Sequence, residues 1–73
     1  MSKSIYSAEY KKVVEKLRVS REEVGLTQAQ VADLLNKPQS YISKIERGER
    51  RLDVAELTKI AKICKKDISY FVE

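Results

Sequence analysis

Residues 26–47 read LTQAQVADLLNKPQSYISKIER, two short helical patterns separated by a tight turn. Thr27 opens the first, because its hydroxyl can accept a bond from a free amide of the first turn. Val31, Leu34 and Leu35 then recur at helical spacing with Ala32 beside them, which predicts the inward face. Asn36 stops the helix, since asparagine tolerates a left-handed backbone better than most residues. Pro38 pushes Lys37 out of the helical region and suits the first position of a second helix. In that second helix Ile42, Ile45 and Glu46 form one stripe, while Gln39, Ser40, Tyr41, Ser43, Lys44 and Arg47 are expected on the outer side. So much hydrogen-bonding capacity on one short face suits contact with a polar partner.

Working outward, the spacing predicts a long helix capped by Ser7 and running to about Val24, with Tyr10, Val13, Val14, Leu17 and Val24 buried. Residues 1–6 are expected to fray, with Tyr6 able to fold back on the core. Gly25 ends this helix, and Leu26 is a staple residue beside the Thr27 cap. Arg21 falls on the apolar stripe, and Glu46 falls on the inward side of its own helix. Two misplaced charges of opposite sign predict one partly buried Arg21–Glu46 ion pair, arginine being able to hold a carboxylate through two bonds. The competing reading is two independent surface charges worth almost nothing.

Downstream, Gly48 closes a helix and Glu49-Arg50-Arg51 forms a basic loop anchored by Leu52. Asp53 with Glu56 three residues on reads as a capping box. The fourth helix is expected to run to about Cys64 with Val54, Leu57, Ile60, Ala61 and Cys64 inward, and with Lys59, Lys62 and Lys66 solvated. A short last helix follows Asp67. No strand pattern, repeat or low-complexity stretch interrupts this order, so the fold class is all-α: five helices in one compact domain over residues 1–73.

Composition narrows the function classes. A 73-residue chain with a net charge of +4 has room for one small core and is expected to be marginal alone, so that dimerisation would help it. No apolar run is long enough for a membrane span or a secretory leader. Cys64 has no cysteine partner and the chain has no histidine, so neither a disulfide nor a zinc set is expected, and a reducing cytoplasm fits. Between Lys37 and Arg51 five basic residues face two acids, the electrostatic footprint of a nucleic-acid surface. Without histidine, a phosphate-cradling glycine loop or a nucleophile beside a base, catalysis, a cofactor and a small-molecule substrate are not expected.

The stretch LTQAQVADLLNKPQSYISKIERGE resembles the helix-turn-helix of phage-repressor and Cro-type (Xre-like) DNA-binding domains. Thr27-Gln28, the small Ala32, the turn at Asn36, Ser40-Tyr41-Ile42, and Ile45-Glu46 with Gly48 stand at that family's spacing, and the helix order fits from about Tyr10 to Val72. The short length and the Gly48-to-Leu52 loop are also similar to controller proteins of restriction–modification systems. Asn36 departs from the glycine usual at the turn, and Pro38 stands where many members carry a serine or threonine cap.

The resemblance implies double-stranded DNA as the partner, with the third helix in the major groove. Gln39 would then read adenine and Lys44 guanine, with Ser40 on a base or phosphate and Tyr41 on a thymine methyl. Gln28 would hold a phosphate, and Ser43, Arg47, Arg50 and Arg51 would touch the backbone. For each of these the competing reading is a solvated polar side chain. The resemblance also implies a homodimer on an inverted repeat, through some of Ile63, Ile68, Tyr70, Phe71 and Val72, unless those residues close the monomer core instead. A transcriptional repressor is the function implied. The alternative is an antitoxin or adaptor whose main contact is another protein.

Overall fold

The computed structural model describes residues 8–72, Val72 through its backbone alone, and the expectations for residues 1–6, Tyr6 and a Ser7 cap lie outside the described residues. The elements among them are α1 (Ala8–Glu23), α2 (Gln28–Leu34), α3 (Gln39–Glu46), α4 (Val54–Ile63) and α5 (Ile68–Val72).

Local chemistry starts and stops these helices where the residues demand it. Thr27 and Asp53 each accept an amide from the third residue of their helix, and Gln30 and Glu56 reach back to close two capping boxes. Pro38 is the N-cap of α3 in extended backbone rather than its first helical residue, as the sequence had suggested, and it supplies no side-chain cap. Helices α1 to α4 all end by one device. A left-handed residue follows the cap, and the next amide folds back to the carbonyl five residues earlier. Those residues are Gly25, Asn36, Gly48 and Lys65, with φ of 79°, 57°, 76° and 61°. The returning bonds are Leu26 N–H to Arg21 O (3.1 Å), Lys37 to Ala32 (2.9 Å), Glu49 to Lys44 (2.8 Å) and Lys66 to Ala61 (2.9 Å).

The core draws on every helix. Leu17 comes from α1, Val31 and Ala32 from α2, and Tyr41, Ile42 and Ile45 from α3. Leu57, Ile60, Ala61 and Cys64 come from α4 and its cap, and Phe71 from α5. Burial pushes the Cys64 thiol up, so it stays protonated as a small core group. Ser20, fully buried on α1, was not expected inside; its hydroxyl has no partner among the described residues.

Two apolar residues expected inward are exposed. Leu34 is 61% exposed because Val31, Ala32 and Leu35 span the narrow face that α2 turns inward. At roughly 100° per residue, Leu34 lies about 110° from the centre of that face. Val54 is 72% exposed. It is the first residue of α4, and its side chain tilts off the helix end toward the N-terminus. Phe71, a candidate for a dimer surface, is instead core, packed edge-on against Tyr70 at 5.1 Å. Ile63, Ile68 and Tyr70 are half-buried against the same core. Lys16 of α1 donates to the Tyr70 carbonyl at 2.9 Å, which fastens α5 to α1.

The Arg21–Glu46 pair forms as the misplaced charges predicted. Arg21 Nε donates to Glu46 Oε2 at 2.7 Å and Nη2 to Oε1 at 3.0 Å, with side chains only 11% and 7% exposed. Arg21 Nη1 also donates to the Leu26 carbonyl at 2.8 Å, so α1, the α1–α2 turn and α3 share one junction.

Three variants test these contacts by chemical denaturation. Arg21→Ala leaves the Glu46 carboxylate buried without its cation and costs about 3–5 kcal/mol in chemical denaturation. Arg18→Ala, which removes only exposed, solvent-screened pairs with Glu15 and Glu22, leaves the denaturation midpoint close to that of the unmodified protein. Lys65→Gly relieves a left-handed lysine and raises stability by about 0.5–1 kcal/mol. An unchanged denaturation midpoint would mean that the Lys65 backbone carries no strain.

Candidate nucleic-acid interface

Beyond Arg21, Glu46 accepts a third bond, from Gln28 Nε2 to Oε1 at 2.9 Å. Gln28 is three residues before Val31 on α2, which places it on the inward face and half-buries it. Its own Oε1 accepts from Gln39 Nε2 at 3.4 Å, a long bond between the starts of α2 and α3. The structure therefore links Arg21, Glu46, Gln28 and Gln39 in one chain of hydrogen bonds running from the interior to the surface. Gln28 keeps one amide hydrogen beyond its bond to Glu46.

The outer side of α3 carries Gln39, Ser40, Lys44 and, at its C-terminal cap, Arg47, all exposed. Ser43 is half-buried and accepts from Arg47 Nη1 at 2.6 Å. Arg47 also holds Glu49 through Nε and Nη2, both at 3.1 Å. Lys44 and Arg51 are exposed cations that form no ion pair among the described residues.

Tyr41 departs from the outer side assigned to it from the sequence. It is buried, four residues before Ile45 and next to Ile42, so those three share one face of α3. The i, i+4 relation to Ile45 was the signal that would have placed it. Its hydroxyl donates to Glu56 Oε2 at 2.6 Å, joining α3 to α4. Burial, reinforced by that carboxylate, pushes the phenol up to about 12, so it stays a donor at neutral pH.

Two cations flank the Tyr41 ring, Lys37 Nζ at 5.3 Å and the Arg50 guanidinium at 4.7 Å from its centroid. Arg50 Nη2 donates to Glu56 Oε2 at 3.2 Å. The Arg50 carbonyl accepts from the Tyr10 hydroxyl at 2.7 Å, so α1 pins the basic loop. Lys37, Tyr10 and Glu56 were not among the functional residues expected from the sequence. Only the Glu56 cap was legible, because one carboxylate oxygen completes the box and the other acts across the fold.

The structure thus gathers Gln28, Gln39, Ser40, Lys44 and Arg47 around α2 and α3, with Ser43 beside Arg47, and holds Arg50 before the start of α4 on the Tyr41 ring. Compared with known families, the chain matches the helix-turn-helix family model over residues 14–71. That match supports a DNA-binding transcription regulator. No curated protein matches the chain. Among the described residues no helix is long and apolar enough to cross a membrane.

The Tyr41–Glu56 contact also sets an acid limit on the fold. The Tyr41 hydroxyl, and after it the Asp53 amide and Arg50, hold the Glu56 carboxyl below its usual value near 4.5. A depressed folded value means that this stabilisation is present above the unfolded value and lost as pH falls through the folded one. The gap in thermal midpoint between the unmodified protein and Tyr41→Phe is therefore widest above the usual carboxylate range and narrows as the pH falls below it. A gap that stays constant over that range would remove the carboxylate from the effect.

Proposed function

The chain belongs to the helix-turn-helix family that it matches over residues 14–71, and from that premise we propose a sequence-specific regulator that represses transcription by binding an inverted-repeat operator as a dimer. One observation carries the reading. Tyr41, Ile42 and Ile45 hold one side of α3 in the core, and the opposite side presents Gln39, Ser40 and Lys44 to solvent.

A helix displayed in this way fits the major groove. Gln39 can offer its carboxamide to adenine, and Gln28 supports it from behind. Lys44, without an ion pair among the described residues, is available to guanine acceptors. Ser40 takes a base edge or a phosphate. Ser43, Arg47, Arg50 and Arg51 act on the backbone, with Gln28 offering its remaining amide hydrogen to a phosphate. A module of this size reads few base pairs, which favours two copies on half-sites about 34 Å apart. The half-buried Ile63, Ile68 and Tyr70 are the candidates for joining them. Such a regulator acts in the cytoplasm, where Cys64 stays reduced.

The test is selection of binding sequences from a random duplex pool, with the stoichiometry recorded. An enriched inverted repeat bound two to one is expected; absence of enrichment, or one copy per site, overturns sequence-specific or dimeric binding respectively. Gln39→Ala weakens the selected site by about 1–3 kcal/mol and random duplex far less. Equal loss on both would remove Gln39 as a base reader. Arg51→Ala weakens both duplexes alike and flattens the dependence of log affinity on log salt by about one unit.

A further inference from the structure

Glu56 does more than its place in the α4 capping box requires. Its Oε1 accepts from Asp53 N–H at 3.1 Å, and that one oxygen closes the box. In α2 the same task falls to a neutral side chain, Gln30 Oε1 accepting from Thr27 N–H at 2.8 Å. A negative charge is therefore not needed for the cap. Glu56 Oε2 takes the Tyr41 hydroxyl and Arg50 Nη2. An amide at this position would still meet the hydroxyl, offering N–H to its oxygen. Of the partners of Glu56, Arg50 is the one that requires the charge.

Position matters as much as charge. Arg47 is also paired, but its partner Glu49 is a loop residue, both side chains are more than half exposed, and Glu49 can swing away as a phosphate arrives. Glu56 cannot. The cap and the Tyr41 hydroxyl hold it, and its side chain is only 25% exposed. A phosphate approaching Arg50 meets a guanidinium already balanced by a fixed carboxylate, and meets that carboxylate as a like charge.

We propose that Glu56 is a built-in competitor of the DNA backbone for Arg50, holding down what the basic loop contributes to affinity. This rests on the reading that the face takes DNA. An arginine neutralised within the protein releases fewer counterions from the duplex than a free one, so Arg50 counts for less than Arg51 in the salt dependence. Glu56→Gln removes the competitor and keeps the cap.

The experiment compares the unmodified protein, Glu56→Gln, Arg50→Ala and the double variant on a selected duplex and on random duplex, across a salt series. Glu56→Gln is expected to bind both duplexes about two- to fivefold tighter, the release of one exposed ion pair. Its salt dependence steepens by up to about one unit. The gain disappears when Arg50 is alanine. A gain that survives without Arg50 would be a bulk effect of net charge, and weaker binding would make Glu56 a support that positions Arg50. Either result, or no change, overturns the proposal while DNA binding itself stands. If the unmodified protein binds neither duplex, the DNA reading fails and takes the proposal with it. A second readout needs no variant: the isotope-labelled carboxyl carbon of Glu56 shifts on adding duplex as its arginine is drawn away, and an unmoved resonance overturns the competition.

Discussion

The buried pair between Arg21 and Glu46 is the constraint on which the other arrangements depend. Taking two charges out of water costs several kcal/mol per ion unless each is held by well-formed bonds. Here the carboxylate accepts two bonds from the guanidinium and one from Gln28, and the guanidinium spends a further donor on the Leu26 carbonyl. Together these bonds tie four parts of the motif: the end of α1, the turn, the start of α2 and the end of α3. The pair therefore ties the start of α2 and the end of α3 to α1 from behind, while Ala32 is buried in the core. Gln39 stands at the surface end of the same network, so the outermost side chain is registered against the innermost one.

Much of this was legible in the residues. Caps at Thr27 and Asp53, left-handed stops at Gly25, Asn36 and Gly48, and the two stray charges each follow from local chemistry or from period. What escaped required knowing which of two adjacent faces wins. Leu34 and Leu35 both satisfy a helical period after Val31, and the packing of α2 on α3 chose Leu35. Tyr41 read as polar because of its hydroxyl, yet a carboxylate waiting on α4 let the ring enter the core with that hydroxyl satisfied. Val54 matched the period of α4 but lies at its first turn, where periodicity says nothing about what is present to pack against. The left-handed Lys65 was invisible, since lysine carries no preference for that backbone. Of the residues assigned to the binding face, exposure agrees for Gln39, Ser40, Lys44, Arg47, Arg50 and Arg51, whereas their contacts belong to a complex.

The electrostatics of the face are finer-grained than the net charge of +4 suggests. Arg47 and Arg50 are each matched to an acid, whereas Lys44 and Arg51 are unmatched among the described residues. Charge density along residues 37–51 therefore overstates the positive potential presented to solvent.

The left-handed stops have a consequence for chain length. In three connections the stop is followed by a single residue before the one that immediately precedes the next helix: Leu26 between Gly25 and Thr27, Lys37 between Asn36 and Pro38, and Lys66 between Lys65 and Asp67. Adding or removing one residue in any of them would rotate the following helix by about 100° and turn its apolar stripe out of the core. The link from Gly48 to Asp53 is the exception, with four residues between stop and cap, Arg50 and Arg51 among them. Insertions and deletions between described helices thus have one address at which they can be absorbed, beside α3, where a longer or shorter loop would change reach and charge while leaving the packing of the helices in place.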